Sequence, residues 1–128
     1  KWVAAVVTVD SPEALRGLRL RLPMQPGKGY SLTIERPRFK FTKSAILTER
    51  RVAMTPMGDT LRFGGTMEVS GHDDRIRPER IEQIKAAASH YFPDITEADF
   101  AGIKPWFGYR PVSPDGMPYL GRFGRHPN

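Results

Sequence analysis

The 128-residue chain contains no cysteine, and this absence excludes disulfide bonds, thiolate metal sites and cysteine nucleophiles. It also has no uninterrupted apolar run near the roughly 20 residues that a membrane-spanning helix needs. The first residues show neither the basic start nor the cleavage site of a secretory signal peptide, so none is expected. The length corresponds to one domain, which we expect to span residues 1–128.

Sequence motifs of complete catalytic or cofactor sites are missing as well. No G-x-G-x-x-G dinucleotide fingerprint, P-loop or G-x-S-x-G nucleophile motif occurs. The histidines, His72, His90 and His126, are far apart. His72 stands next to Asp73 and Asp74, but a polar loop explains this group better than a metal site does. We therefore expect no metal and assign no catalytic residue to this chain.

Positive charge exceeds negative charge, with 20 Lys and Arg residues against 14 Asp and Glu residues, a net charge of +6 and a pI near 10.0. The basic residues are spread along the chain rather than gathered in a tail. The aromatic residues do not alternate with basic ones as the stacking platforms of nucleic-acid-binding proteins do, so nucleic acid is not an expected partner. Most of this charge is interpreted as solvated surface, with an anion-binding face as the alternative.

The pattern of apolar residues predicts short strands and one long helix. Pro78 suits a first helical turn, and Ile81, Ile84, Ala88 and Tyr91 form one apolar stripe, which predicts a helix over 78–91. Apolar or alternating runs predict strands at 3–9, 18–22, 30–34, 60–69, 102–112 and 117–123, with one or two more within 45–53.

These elements indicate the α+β class. We expect a mostly antiparallel mixed sheet of about five to seven strands, with the long helix packed across one face. Residues 45–69 should form a long hairpin around a turn at Gly58. The pair Gly64-Gly65 in its second strand predicts a bulge or the close approach of another backbone.

Three ordered segments resemble one known family. The segment 105–122, Pro-Trp-Phe-Gly-Tyr-Arg-Pro-Val-Ser-Pro-Asp-Gly-Met-Pro-Tyr-Leu-Gly-Arg, is similar to the W-x-G-x-R-P-x-[ST]-x-D-G-x-P-x-[IL]-G signature of FAD-dependent amino-acid oxidases and dehydrogenases. Segments 22–33 and 61–71 are similar to two further stretches of the D-amino acid dehydrogenase branch. The chain is therefore identified as a member of that family, resembling its substrate-binding domain.

The resemblance implies site residues at matching positions. Arg110 occupies the position of the arginine that binds the substrate carboxylate, a role that suits its planar, permanently charged guanidinium. Trp106 is the aromatic candidate for the pocket wall, and Tyr30 lies in a matched segment and could reach the pocket. Gly108 and Pro111 are the candidates for contact with the flavin. The Ser113–Gly116 segment (113–116) is interpreted as a turn.

The resemblance also implies a function and partners. Such an enzyme oxidatively deaminates D-amino acids by transferring a hydride from Cα to FAD, so the expected partners are an amino-acid substrate and the rest of the same chain, which would carry the FAD domain. This chain alone should be inactive and should not hold FAD. A quinone is a further expected partner, as the electron acceptor. The expected location of the protein is the cytoplasm or, as a peripheral protein, the inner face of the plasma membrane. Residues 6–10 depart from the family's small-residue stretch, which puts flavin contact there in doubt.

Two other functions remain open at this stage. The chain could be a free-standing, non-enzymatic module that binds carboxylates or other anions. The reaction could also be of the sarcosine or glycine oxidation type. The preferred amino acid, the electron acceptor and the oligomeric state do not follow from the sequence.

Overall fold

The structure is a computed structural model that describes residues 11–19 and 21–119. The strand predicted at 3–9 lies outside these ranges. The described elements are two α-helices, Ser11–Ala14 (α1) and Pro78–Tyr91 (α2), and the five strands Gln25–Glu35 (β1), Ala45–Leu47 (β2), Val52–Met57 (β3), Thr60–Val69 (β4) and Trp106–Val112 (β5). Short 3-10 helices cover Leu15–Leu18, Thr48–Arg50 and Glu97–Phe100.

The five described strands form one sheet in the order β2-β3-β4-β1-β5. Every pairing among them is antiparallel. The expected mostly antiparallel sheet with a helix on one face is confirmed. Because β5 pairs only with β1 among the described strands, it lies at an edge of the sheet, and this edge carries the signature segment.

The two faces of the sheet differ in character because side chains alternate along each strand. One face packs against α2 and buries most of the apolar core; we call it the helix face. Its core side chains include Leu32, Ile34, Val52, Met54, Leu61, Phe63, Ile81, Ile84 and Ala88. The other face, which we call the open face, carries several apolar side chains that stay exposed: Ile46, Met57, Met67, Val69 and Trp106.

The predicted helix is confirmed with the predicted bounds, Pro78–Tyr91. Ile81, Ile84 and Ala88 of the apolar stripe are buried, while Tyr91 is partly buried. Its end is followed by Pro93, which cannot continue a helix. The apolar stripe and the early proline both indicate a helix over these residues, and together they were sufficient to predict it.

A bulge in β4 confirms the expectation raised by the paired glycines. Tyr30 pairs with Gly65 but Lys28 pairs with Glu68, so β4 has one residue more than β1 over this stretch. Thr66 lies in the bulge with φ 54°, a left-handed conformation that is unusual for a β-branched residue. The inserted residue turns Glu68 toward the helix face and Met67 and Val69 toward the open face.

Several strand predictions were wrong at their ends. Residues 18–22 do not form a strand where they are described: Leu18 ends a 3-10 helix, and Arg19 has the left-handed φ of 55°. The strand predicted at 30–34 begins earlier, at Gln25, and so includes Pro26, which pairs with the edge strand β5. The strand predicted from 102 begins only at Trp106.

The last predicted strand, at 117–123, is not formed by residues 117–119, and its remaining residues lie outside the described ranges. The turn that precedes it is confirmed. The Gly116 N–H donates to the Ser113 carbonyl oxygen at 3.2 Å, and Gly116 has φ 74°. The Asp115 carboxylate accepts from the Met117 N–H, so this turn is held by its own residues.

A loop after β1 is fastened to the segment after α2 by a bidentate ion pair. Arg38 donates from Nε and Nη2 to the two carboxylate oxygens of Asp99, at 2.8 and 2.7 Å. Asp99 also accepts from the Thr96 N–H at 2.8 Å. These hydrogen bonds, first of all those from Arg38, hold the pKa of Asp99 well below its ordinary value.

Candidate functional site

Arg110 lies on the open face of the edge strand β5 and is exposed. Its register partner in β1 is Gly27, which has no side chain to cover it. The ion pairs formed within the described ranges involve other cations: Lys28, Arg38, Arg75, Arg77, Arg80 and Lys85. Arg110 is thus a guanidinium on an accessible surface whose described neighbours leave it available to an anion.

Trp106 shares the open face with Arg110, as strand alternation predicts. Its side chain is 58% exposed and lies over Gly108, where an added Cβ would come within 2.3 Å of the indole ring. The Arg62 guanidinium carbon lies 5.3 Å from the centre of the same ring. Gly108 therefore accommodates an aromatic ring, and that ring belongs to Trp106. Contact of Gly108 or of the exposed Pro111 with a flavin stays a prediction.

Next to Arg110 and Trp106, part of the open face is glycine backbone without side chains. Gly29 of β1 and Gly64 of β4, which we call the glycine strip, lie on the open face. Gly27 lies on the same face, but the side chains of Val112 and Met67 occupy the space above it. A Cβ added at Gly29 would meet nothing within 4 Å, and one added at Gly64 would meet its nearest neighbour at 3.7 Å. The glycine strip is therefore a flat floor beside Arg110 and Trp106 on which a planar or small molecule could lie close to the backbone.

Tyr30 is not brought together with Arg110. It lies on the helix face and is 2% exposed. Its hydroxyl donates to Glu68 Oε1 at 2.9 Å. In the described structure, Tyr30 is part of the buried framework beneath the open face.

A buried charged cluster on the helix face was not predicted from the sequence. Lys28 is 0% exposed, and its Nζ lies 3.0 Å from Glu68 Oε1. The ammonium also donates to the carbonyl oxygens of Asp73 and Arg75, the latter at 2.8 Å. All of its donors thus have partners, which is what a buried ammonium requires. Strand alternation was a usable signal, since it places Lys28 on the same face as the apolar Tyr30 and Leu32.

The electrostatics of this cluster favour the charged forms. Burial by itself would lower the pKa of Lys28, but hydrogen bonds and charge from Glu68 and Tyr30 outweigh it, so the pKa is raised. Burial would likewise raise the pKa of Glu68, but Lys28, Tyr30 and the nearby Arg77 lower it. The pair is therefore an ion pair rather than a neutral pair over the ordinary pH range.

The buried side of β5 is fastened to the loop between β4 and α2. Tyr109, one residue before Arg110, donates from its hydroxyl to Asp74 Oδ1 at 2.9 Å. Phe107 lies with its ring centre 5.6 Å from the Lys28 ammonium. Burial and this hydrogen bond raise the pKa of Tyr109. Phe107 and Tyr109 of β5 are thus held on the helix face. These contacts fix the direction in which Arg110 and Trp106 point on the open face.

The chemistry of the open face suits a small anionic ligand rather than a dinucleotide. It offers an exposed cation, an aromatic side chain and a bare backbone floor, but the sequence has no glycine-rich loop to cradle a diphosphate. The described residues form no group of three or more His, Asp or Glu side chains that could hold a metal ion. Among the same residues no helix has the length and apolar character to cross a membrane.

Comparison with known proteins shows which family this chain resembles. The family model described as "FAD dependent oxidoreductase" matches residues 4–128. A D-amino acid dehydrogenase of Paramagnetospirillum magneticum is 40% identical over 114 residues, covering 88% of this chain and 26% of that protein. A D-amino acid dehydrogenase of Granulibacter bethesdensis is 36% identical, covering 87% of this chain and 27% of that protein. The chain thus spans about a quarter of the length of these curated relatives.

Solved structures show the same fold. Glycine oxidase from Geobacillus kaustophilus superposes with a TM-score of 0.80 at 23% sequence identity, covering 94% of this chain and 32% of that one. L-proline dehydrogenase from P. horikoshii superposes with a TM-score of 0.70 at 18% identity, covering 95% of this chain and 34% of that one.

Proposed function

The chain belongs to the family of FAD-dependent oxidoreductases, and from this premise we propose that it is the substrate-binding domain of an enzyme that oxidatively deaminates D-amino acids. The proposal is supported by the D-amino acid dehydrogenases at 36–40% identity and by the exposed guanidinium on the open face. In this proposal residues 1–128 form one domain, and the FAD site lies largely in polypeptide beyond it. The chain by itself would then be inactive.

The central role belongs to Arg110, which binds the carboxylate of the substrate. A guanidinium offers parallel donors to both carboxylate oxygens and keeps its charge at any working pH. Fixing the carboxylate fixes the orientation of the adjacent Cα–H bond, which is the main task of the protein in a reaction carried by a cofactor. The single observation that carries the proposal is the place of Arg110: exposed, on the open face, beside a backbone without side chains.

The other residues of the face shape the space around that carboxylate. Trp106 forms an aromatic wall and Arg62 stacks on it, adding positive charge at the far side of the glycine strip. Gly29 lets the substrate approach the sheet closely. Tyr30 and Lys28 hold Glu68 on the helix face. Tyr30, which was predicted to reach the pocket, is buried there and has a structural role in this proposal.

FAD fits this arrangement as a group that is held elsewhere and faces the open side. When bound, FAD would supply the electron-acceptor chemistry for oxidation at Cα. Pro111, a candidate for flavin contact, lies on the helix face by strand alternation, and the Trp106 ring covers Gly108. The residues of this chain that would face the cofactor are therefore Trp106 and the glycine strip. They orient the substrate between the sheet and the cofactor and keep water from the reacting carbon.

The electron acceptor and the location of the protein stay predictions. A net charge of +6 suits a protein that approaches an anionic membrane surface, where a quinone could receive the electrons. Spread over the chain as it is, this charge fits a cytoplasmic enzyme equally well.

The test of the proposal is Arg110→Ala in the FAD-loaded protein that carries this chain. Loss of a charge-assisted hydrogen bond of about 1.5–3 kcal/mol should raise the KM for a D-amino acid at least tenfold, with the flavin content unchanged. Lys104→Ala is the matched control, because it removes an exposed positive charge just before β5, and it should leave KM within about twofold. An unchanged KM in Arg110→Ala would discard the assignment.

A further inference from the structure

A cavity of about 760 Å³ lies against the segment that leads into β1. The described residues that line it are Pro12, Arg16, Arg19, Arg21 and Leu22. Its volume falls within the range of small-molecule sites. Arg110 is not among these lining residues, so the cavity is distinct from the candidate site on the open face.

The local fold brings the three arginines to one cavity. Arg16 lies in the 3-10 helix Leu15–Leu18, in which residues three apart stand above one another, and Arg19 comes three residues later. The Arg19 N–H donates to the Arg16 carbonyl oxygen at 2.9 Å, and Arg19 has φ 55°, which ends the helix. Leu22 is only 8% exposed, so the end of the segment that carries Arg21 is anchored to the folded domain.

Described carboxylates do not balance the charge of these three arginines. A second group of three arginines, after β4, shows the contrast: Arg75 lies 2.9 Å from Asp73, and Arg77 and Arg80 lie 3.4 and 3.5 Å from Glu68. The ion pairs among the described residues include none of the arginines of the cavity. Like charges gathered without a counterion favour the binding of an anion.

The number of guanidinium groups indicates which anion fits. Each guanidinium presents five N–H donors in a planar fork, whereas a carboxylate offers only two oxygens. A phosphate monoester offers three terminal oxygens and carries a charge of about −1.5 to −2 at pH 7. It can therefore accept hydrogen bonds from several guanidinium groups at once, and three arginines in one cavity suit it better than they suit a carboxylate.

We propose that this cavity binds an organic phosphate monoester. Its phosphate is held by Arg16, Arg19 and Arg21, and its organic part lies against the apolar surface of Pro12 and Leu22. The site does not depend on the proposed function, because it uses no residue of the open face. A soluble ester and a lipid headgroup carry the same phosphate group, and the experiment separates these two sources.

The experiment measures the binding of glycerol 1-phosphate to the FAD-loaded protein that carries this chain, by isothermal titration calorimetry at low ionic strength. We expect saturable binding of one molecule per chain. Arg19→Gln should weaken this binding at least tenfold, because it removes charge-assisted hydrogen bonds to the phosphate. The flavin content should not change.

Arg36→Gln is the matched control. Arg36 is also an exposed arginine with a left-handed backbone, at φ 48°, but it follows β1 directly. The two substitutions therefore remove one exposed positive charge each and place glutamine in the same backbone conformation. Arg36→Gln should leave the affinity for glycerol 1-phosphate within about twofold. Arg110→Ala should also leave it within about twofold, because Arg110 does not line the cavity.

Vesicles identify the source of the phosphate. Phosphatidylcholine vesicles are compared with and without phosphatidic acid, whose headgroup is a phosphate monoester. Binding of glycerol 1-phosphate that is weakened in Arg19→Gln assigns the site to a soluble ester. Without such binding, retention on the phosphatidic acid vesicles that is lost in Arg19→Gln assigns the site to a lipid headgroup.

Three results would overturn the proposal. The first is that neither glycerol 1-phosphate nor phosphatidic acid vesicles bind. The second is that Arg19→Gln and Arg36→Gln weaken binding equally, since the protein would then respond to positive charge spread over its surface. The third is a loss of binding in Arg110→Ala but not in Arg19→Gln, which would place the anion on the open face.

Discussion

At the residue scale, two neighbouring cations of the sheet differ in burial. Lys28 and Arg110 lie on adjacent strands, one register step apart, but on opposite faces. Lys28 is fully buried, and its charge is matched by Glu68 and by backbone carbonyls. Arg110 is exposed and keeps its guanidinium for the open face. Because Lys28 is buried and fully paired, it is a structural residue. Because Arg110 is exposed, it is available to a ligand.

The buried pair leads to a prediction about stability. Lys28→Met removes one partner and leaves the Glu68 carboxylate largely buried, at 7% exposure. Breaking a buried ion pair in this way should lower the free energy of unfolding by about 3–5 kcal/mol. Arg77→Met is the control, because its side chain is 48% exposed and it also contacts Glu68. It should cost less than about 1 kcal/mol.

Denaturant unfolding followed by circular dichroism measures both variants. A loss in Lys28→Met no greater than that in Arg77→Met would show that Glu68 finds sufficient compensation from its surrounding arginines. The buried ammonium would then not be the group that stabilises Glu68, and the prediction would be wrong.

At the scale of elements, the glycines of the two central strands have different tasks. Gly65 is on the helix face, where an added Cβ would come within 2.5 Å of the Arg51 carbonyl oxygen. Gly29 is on the open face, where an added Cβ would meet nothing within 4 Å. Gly65 is therefore needed for the close packing of β3 against β4. Gly29 leaves the backbone of the open face uncovered at the candidate site.

This difference predicts the effect of the same substitution at both positions. Gly65→Ala forces the backbone of β3 and β4 apart and should lower the free energy of unfolding by about 1–3 kcal/mol. Gly29→Ala meets no obstacle and should change it by less than about 1 kcal/mol, in either direction. Thermal unfolding of the two variants compares them directly. Equal destabilisation would contradict the close approach inferred at Gly65.

The sequence predicted the elements that carry strong, mutually consistent local signals. The 78–91 helix has an apolar stripe and a proline at each end, and the 60–69 strand follows a glycine turn. Predictions failed where tertiary pairing decides: the described residues within 18–22 form no strand despite their alternation. Pro26 is tolerated near the start of β1 because the pairing of β1 with β4 begins only at Gly27.

The candidate site was predicted in part. Strand alternation correctly placed Trp106, Gly108 and Arg110 on one face, since period-2 patterns survive once a segment becomes a strand. It could not give the position of β5 in the sheet, because that depends on contacts between distant segments. The paired glycines predicted a bulge or a close approach, but not that Thr66 is the inserted residue. The bulge in turn decides that Glu68 is buried and that Val69 faces the open side.

At the scale of the whole molecule, the two faces of the described sheet differ, and the open face is the more exposed one. It carries exposed apolar side chains, a bare backbone strip and Arg110, while α2 covers the opposite face. The chain spans about a quarter of the length of its D-amino acid dehydrogenase relatives. In our account the remaining polypeptide brings FAD over this face, and the substrate lies between them.

The most direct test of this account is the preference of the FAD-loaded protein for a D-amino acid over the matching amine, which lacks only the carboxylate. We expect the ratio of their kcat/KM values to fall at least tenfold in Arg110→Ala, because the substrate group that the guanidinium binds is the one the amine lacks. If the ratio is the same in Arg110→Ala as in the unmodified protein, Arg110 does not bind the carboxylate and the account is contradicted.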